Sequence, residues 1–182
     1  MSAKASNVPS LKRIELHRGD LPADVKFPAA IAVDTETMGL DPNRDRLCLV
    51  QLSGGDGVCH IVQLAQDSYE APNLKKALAD AKREKIFHFA RFDLAMIERN
   101  LGVTAAPVFC TKIASRLTRT YTDRHGLKDL CREVLGVDIS KTQQSSDWGA
   151  AELSQEQLQY AASDVLYLHA LRERMANREN LS

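Results

Sequence analysis

The sequence predicts an α/β fold in one domain, with a mixed central sheet flanked by helices. Three observations lead there. Short apolar runs separated by turn residues occupy the first third of the chain. Segments of helical periodicity, interrupted by a further strand-like run, follow them. Strands first and then alternating elements imply a mixed sheet covered by helices. The 182 residues, 44% hydrophobic and 26% charged, suit a single core that needs neither disulfides nor a structural metal.

Residues 1–10 are small and polar, with Pro9, and read as an arm before a domain over residues 11–182. Residues 29–33, 47–52 and 58–62 are apolar, with turns at Asp41-Pro42-Asn43 and Gly54-Gly55-Asp56-Gly57 between them. That pattern predicts a three-stranded antiparallel meander. Residues 73–82 are amphipathic and helical, residues 85–89 form a strand, and residues 92–101 form a helix closed by Gly102. Helices follow over residues 111–118 and 127–135, the second closed by Gly136. Residues 158–175 predict the longest helix, capped by Ser154 with Gln157 at capping-box spacing.

Charge and composition narrow the function classes. Twenty-four basic residues balance 24 acidic ones, whereas a protein gripping a long duplex by counterion release carries a basic excess. Aromatic residues make up 5%, too few for a stacking platform along a long single strand. No apolar run approaches the ~18 residues of a membrane span. The first ten residues lack the apolar segment of a secretory signal, so a cytoplasmic location without a membrane partner is expected. Cys48, Cys59, Cys110 and Cys131 lie far apart without a C-x-x-C pair, so they read as reduced thiols rather than zinc ligands.

Three carboxylate signals carry chemistry. Asp34-Thr35-Glu36 ends the run Ile31-Ala32-Val33. Alternation along a strand puts Asp34 and Glu36 on one face with Ala32, and Ile31, Val33 and Thr35 on the other. Two such carboxylates repel each other unless a cation joins them. Asp93 falls in the first turn of a helix, where the dipole favours an acid. Tyr160 and Asp164 are four apart and share a helix face beside the core stripe Leu158, Ala161, Ala162, Val165 and Leu168. Each signal alone has an ordinary reading as a solvated strand end, a helix-start acid or a half-buried tyrosine. Together they place four negative charges and a phenol in the order D-x-E, D, Y-x-x-x-D. Two divalent ions balance those charges, and hard oxygen ligands suit Mg2+ or Mn2+. Paired ions ~3.5–4 Å apart serve in-line phosphoryl displacement.

Val33-Asp34-Thr35-Glu36-Thr37, the segment His88 to Asp93 and the segment Tyr160 to Asp164 resemble the three exonuclease motifs of the DEDD superfamily, DEDDy branch. Ser146-Asp147-Trp148, followed by Leu153-Ser154, resembles ribonuclease D, and the similarity runs from about residue 29 to residue 171. The wording of residues 37–42, 88–93 and 144–148 is similar to the stand-alone nanoRNase C group. The resemblance implies a ribonuclease H-like fold and a metal-dependent 3′–5′ exoribonuclease that finishes RNA decay at the dinucleotide stage. It also implies a ring-like homo-oligomer, an octamer in that group. The helical RNA-binding domains of ribonuclease D are not expected in a chain ending at Ser182. Gly149-Ala150-Ala151 stands where ribonuclease D has Arg-Pro, which puts a ribonuclease D-like substrate path in question.

The match also implies roles. Asp34, Glu36 and Asp164 resemble the ligands of the metal that binds the attacking water. Asp34 bridges to a second metal, which Asp93 supports. Tyr160 resembles the phenol that orients the water, since an ordinary phenol pKa near ~10 makes a poor base at neutral pH. Thr37, Met38, Gly39 and Leu40 would touch the terminal nucleotide, by backbone amides and an apolar wedge, or form a plain turn. His88 sits near the phosphate or merely ends a strand. Lys112, Arg116 and Arg119 recur at i, i+4 and i+7 within a segment, residues 111–132, that carries an excess of four positive charges. That stripe reads as a 5′-phosphate clamp or substrate lining, or as a solvated face or subunit contact. The expected substrate is short single-stranded RNA, dinucleotides above all. The alternatives are a general ribonuclease D-like exonuclease trimming longer RNA 3′ ends, a DNA-directed exonuclease, and an inactive binding module.

Overall fold

The computed structural model describes residues 8–177, so most of the expected arm over residues 1–10 lies outside the described residues. The predicted meander forms as β2 (Ala30–Thr37), β3 (Leu47–Ser53) and β4 (Val58–Gln63), antiparallel throughout. Strand β2 runs four residues past its apolar stretch. Asp34 and Glu36 are therefore strand residues, paired opposite Gln51 and Leu49. The register slips between Glu36 and Thr37, a bulge that ends regular pairing at the acidic motif.

Two strands go beyond the sequence-based expectation. Strand β1 (Arg13–Arg18) lies parallel to β4 at one edge, and β6 (Val108–Cys110) lies parallel to β5 (Glu84–Phe87) at the other. Strand β5 is parallel to β2, which gives one mixed six-stranded sheet in the order β1-β4-β3-β2-β5-β6.

The helices are α1 (Pro72–Ala79), α2 (Ala90–Leu101), α3 (Thr111–Thr118), α4 (Leu127–Leu130), α5 (Gln155–Leu166) and α6 (Leu168–Ala176). Helix α4 passes directly into a π-helical turn over Cys131–Leu135. The single helix expected over residues 158–175 is in fact two, broken at Tyr167 (φ −101°, ψ −4°). The capping box forms: Ser154 Oγ accepts from the Gln157 N–H, and Gln157 Oε1 accepts from the Ser154 N–H. Helix α1 stops at Ala79, short of the expected residue 82, because Asp80 turns to accept the Lys82 N–H.

Alternate β2 residues serve two cores. Ala32 packs with Leu49, Ile61 and Ile86 beneath Leu158, Ala161 and Val165 of α5. Ile31 and Val33 pack on the other face with Leu74 and Leu78 of α1 and Met96 and Ile97 of α2. The cysteines are free thiols, and among the described residues no helix is long and apolar enough to cross a membrane.

Candidate active site

The acidic residues converge because three elements end at one place. Strand β2 presents Asp34 and Glu36 toward α5. Helix α5 lies over that sheet face and returns Asp164, so that one carboxylate oxygen from each of the three lies within 4.8 Å of the others. Asp93 arrives from α2, on the opposite face. Thr35 Oγ1 donates to its Oδ1 at 2.5 Å and ties it to the strand beside Asp34. Between β5 and α2 the chain turns at Phe89, which holds a left-handed conformation (φ 61°, ψ 52°). Such a conformation is costly for a bulky residue and clusters at functional sites.

A glutamine completes the acidic floor. Gln51, fully buried on β3 opposite Asp34, donates through Nε2 to Asp34 Oδ2 (3.3 Å), Glu36 Oε1 (3.5 Å) and the Ala161 carbonyl (3.3 Å). The sequence reading missed it. Its signal was a lone amide side chain in an otherwise apolar strand, beside a partner strand carrying two acids.

Burial dominates the electrostatics. It pushes the Asp34 carboxyl up to about 6, against hydrogen bonds that favour its charged form. Burial, with the charges of Asp34 and Asp164, pushes Glu36 up to about 11. Asp93 and Asp164 are raised well above the usual carboxylate range, by burial first and the Asp34 charge second. Four carboxylates in this space cannot ionise together without cations. The donors are all hard oxygens, and this set fits a divalent metal ion.

Tyr160 stands half-buried beside the acids, its ring tilted against Trp148 with centroids 5.8 Å apart. Gln157 Nε2 donates to Ser146 Oγ (2.7 Å) and the Asp147 carbonyl (3.1 Å), which holds the Trp148 loop onto α5. Burial and the neighbouring carboxylates push the Tyr160 phenol far up. His88 Nδ1 lies 2.9 Å from Thr111 Oγ1, and that hydroxyl donates onward to the Phe87 carbonyl, so the ring nitrogen is the donor. Burial, helped by Lys112, pushes the imidazole down to about 4, so His88 is neutral at physiological pH.

These groups line a cleft of about 640 Å³. Met38 and Leu40, 50% and 83% exposed, stand at its rim. Thr37 Oγ1 donates to the Gly39 carbonyl at 2.6 Å, and a Cβ on Gly39 would fall 2.2 Å from Asp45 Oδ2. A side chain at position 39 would therefore have to displace the Asp45 carboxylate. Phe89, His88, Lys112, Lys128 and Lys141 line the cleft as well, with Lys112 Nζ 4.2 Å above the Phe89 ring.

The basic stripe does not form as one face. Arg116 is exposed and does not line the cleft. Arg119 lies one residue past the end of α3, fully buried, paired with Glu133 and donating to Ser115 Oγ and the Arg124 carbonyl. The cations that face the cleft are Lys112, Lys128 and Lys141 instead.

Strand order, acidic floor and cleft together define a nuclease-type phosphodiesterase site, and the comparisons agree. The family model described as 3′-5′ exonuclease matches residues 20–179, so this chain belongs to the 3′-5′ exonuclease family. The fold is the ribonuclease H-like exonuclease fold. Among solved structures, Brucella melitensis NrnC bound to pGG is 58% identical with a TM-score of 0.87, over 91% of this chain and 80% of that one. The same protein with bound Mg2+ is 57% identical with a TM-score of 0.86, over 91% and 81%. Ribonuclease D of Granulibacter bethesdensis is 34% identical over 148 residues, 81% of this chain. The chain spans 37% of the length of that relative.

Proposed function

We propose that this chain is a metal-dependent 3′–5′ exoribonuclease that hydrolyses very short RNA, chiefly dinucleotides, to 5′-mononucleotides by a two-metal mechanism. The observation that carries the reading is the convergence of Asp34, Glu36, Asp93 and Asp164 on the floor of one short cleft. Its volume, about 640 Å³, lies within the roughly 300–1,000 Å³ of sites for small ligands. The 58%-identical NrnC bound to pGG supports a short substrate.

Asp34, Glu36 and Asp164 would hold one ion, with Asp34 and Asp93 serving a second, and such ions supply water activation and stabilisation of the leaving 3′-oxygen. Gln51 fixes the Asp34 and Glu36 oxygens. Tyr160 stays protonated, so its hydroxyl positions the attacking water and does not act as the base. The backbone amides of residues 38–40 bind the terminal 3′-hydroxyl, and Leu40 wedges against a base. Neutral His88 borders the scissile phosphate, and Lys112, Lys128 and Lys141 offset phosphate charge. A ring-like homo-oligomer is part of the proposal. An apolar groove along edge strand β6 and α3, with Ile113 58% and Leu117 74% exposed, supports self-association.

The test is a set of time courses on 5′-labelled RNAs of two, three, seven and twenty nucleotides. Each runs with Mg2+, with Mn2+ and with EDTA, beside an Asp34→Ala control. Metal-dependent cleavage fastest on the dinucleotide supports the proposal. Stepwise shortening of the twenty-mer with dinucleotide left over identifies a general exonuclease. DNAs of the same lengths run in parallel, and their cleavage at equal rates removes the preference for RNA.

A further inference from the structure

Among the described residues, one cluster of ligating side chains lies outside the exonuclease site. Glu15 and His17 are two apart on β1 and share a face, and His60 on β4 pairs directly opposite Glu15. His17 Nε2 is 3.0 Å from His60 Nδ1, while Glu15 Oε2 is 3.3 Å from His60 Nδ1 and 3.9 Å from His17 Nε2. We propose that Glu15, His17 and His60 form an accessory site for a first-row transition-metal ion, best matched by Zn2+.

The distances support this. Ligands ~2.0–2.1 Å from a tetrahedral Zn2+ stand roughly 3.3 Å from one another. The three observed separations bracket that value, so metal entry requires small ring rotations rather than backbone movement. The donor set is two imidazoles and one carboxylate, which suits zinc and its neighbours and not magnesium. Arg13 Nε donates to Glu15 Oε1 at 2.6 Å. That bond orients the carboxylate so that Oε2 faces the imidazoles, as an outer hydrogen bond orients a metal ligand. Phe27 closes one side, edge-on to His60 with centroids 5.7 Å apart. The histidine side chains are 14% and 12% exposed and Glu15 is 33% exposed, so an ion enters from the Glu15 side.

The site is separate from the acidic one. His60 alternates with Cys59 and Ile61, which pack under α5. Its ring therefore faces away from Asp34 and Glu36, two strands over from β2. A bound ion would join edge strand β1 to β4 and leave a coordination position open to water.

The experiment uses the full chain in excess Mg2+, which occupies the carboxylate site. Zn2+ is titrated by calorimetry and Co2+ by visible absorption, for the unsubstituted chain and for H17Q, H60Q and D34N. The proposal expects one Zn2+ equivalent that survives D34N and weakens at least ~100-fold in H17Q or H60Q. In the unsubstituted chain, Zn2+ should shift the ring-nitrogen NMR resonances of His17 and His60 but not of His88, a readout that needs no variant to fold. Zinc binding lost in D34N, or retained in both histidine variants, places the ion elsewhere and overturns the proposal. So does the absence of saturable Zn2+ binding, which would leave the three residues as a hydrogen-bonded cluster only.

Discussion

Replacing Gln51 with leucine isolates what the buried amide does for the acids. The two side chains are similar in size, so the change empties no large cavity. It removes Nε2 donation to Asp34, Glu36 and the Ala161 carbonyl, and it also removes Gln51 Oε1, a buried acceptor with no hydrogen-bond partner. Losing an unpaired acceptor is favourable by about 1–3 kcal/mol, and losing the three long donations costs a comparable amount, about 0.5–1.5 kcal/mol each, with the Ala161 carbonyl still bonded within α5. The two nearly cancel, so thermal stability without metal should move by only a few degrees. The effect on metal affinity does not cancel. Removing the group that orients a metal ligand costs roughly 10–100-fold in affinity, about 1.4–2.8 kcal/mol. The assay is dinucleotide cleavage against Mg2+ concentration. The expected result is a Mg2+ requirement raised roughly 10–100-fold, with kcat at saturating Mg2+ near the unsubstituted value. An unchanged Mg2+ requirement would refute the idea that Gln51 holds Asp34 and Glu36 in their liganding positions.

Tyr160→Phe should lower kcat by about 10²-fold or more while the fold persists, and unchanged turnover across pH would remove the positioning role. Leu40 is 83% exposed, so Leu40→Ala should leave thermal stability alone and raise the dinucleotide KM roughly 10-fold, because the smaller side chain covers less of the base. Arg116→Glu should leave dinucleotide cleavage unchanged and Lys112→Glu should weaken it, since Lys112 alone of the two lines the cleft; equal losses would bring back the basic stripe. In EDTA, stability should fall as pH rises. The Asp34 and Glu36 carboxyls go from reference values of 3.8 and 4.5 to about 6 and about 11 in the fold, so the folded state binds more protons than the unfolded one. Their contribution is full below the reference values and is lost as pH rises through the folded ones. Thermal melts in EDTA from about pH 5 to about pH 8 should show falling midpoints, and Mg2+ should flatten the trend.

Local periodicity made much of the fold legible. Alternation along residues 31–36 assigned Asp34 and Glu36 to one sheet face, helical spacing assigned Tyr160 and Asp164 to another surface, and both were correct because each depends on adjacent backbone alone. The capping box at Ser154 formed for the same reason. Strand β1 was overlooked although Arg-Ile-Glu-Leu-His-Arg alternates regularly, because its charged residues masked the period. Strand β6, three residues long, carries too little pattern to read. The break at Tyr167 has no glycine or proline to announce it. Arg119 was misassigned because the spacing was extrapolated past Thr118, the last residue of α3, and its partner Glu133 comes from another element. Gln51 needed cross-strand register, which a single strand does not contain.

The position of the acidic motif at the end of β2 follows from sheet geometry. A sheet separates its two faces, and Asp93 comes from the α2 face whereas Asp164 comes from the α5 face. Midway along a strand, side chains from opposite faces are held apart by the backbone. They can meet where a strand loses its neighbour on one side, as β2 does past Ala32, the last residue paired with β5. Strands β2 and β5 are parallel, so their carboxyl ends open on the same side, and α2 starts just after β5. Crevices beyond the carboxyl ends of parallel strands are the usual ligand sites in such sheets. The β2–β5 pairing stops at Ala32, the β2–β3 register shifts between Glu36 and Thr37, and Thr35, pointing away from Asp34, reaches Asp93 from the far face. Moving the D-x-E motif two residues earlier would keep both carboxylates on the α5 face yet bury them under α5, out of reach of Asp93. The motif therefore works only as the termination of its strand, where both layers of the fold deliver an acid to one space.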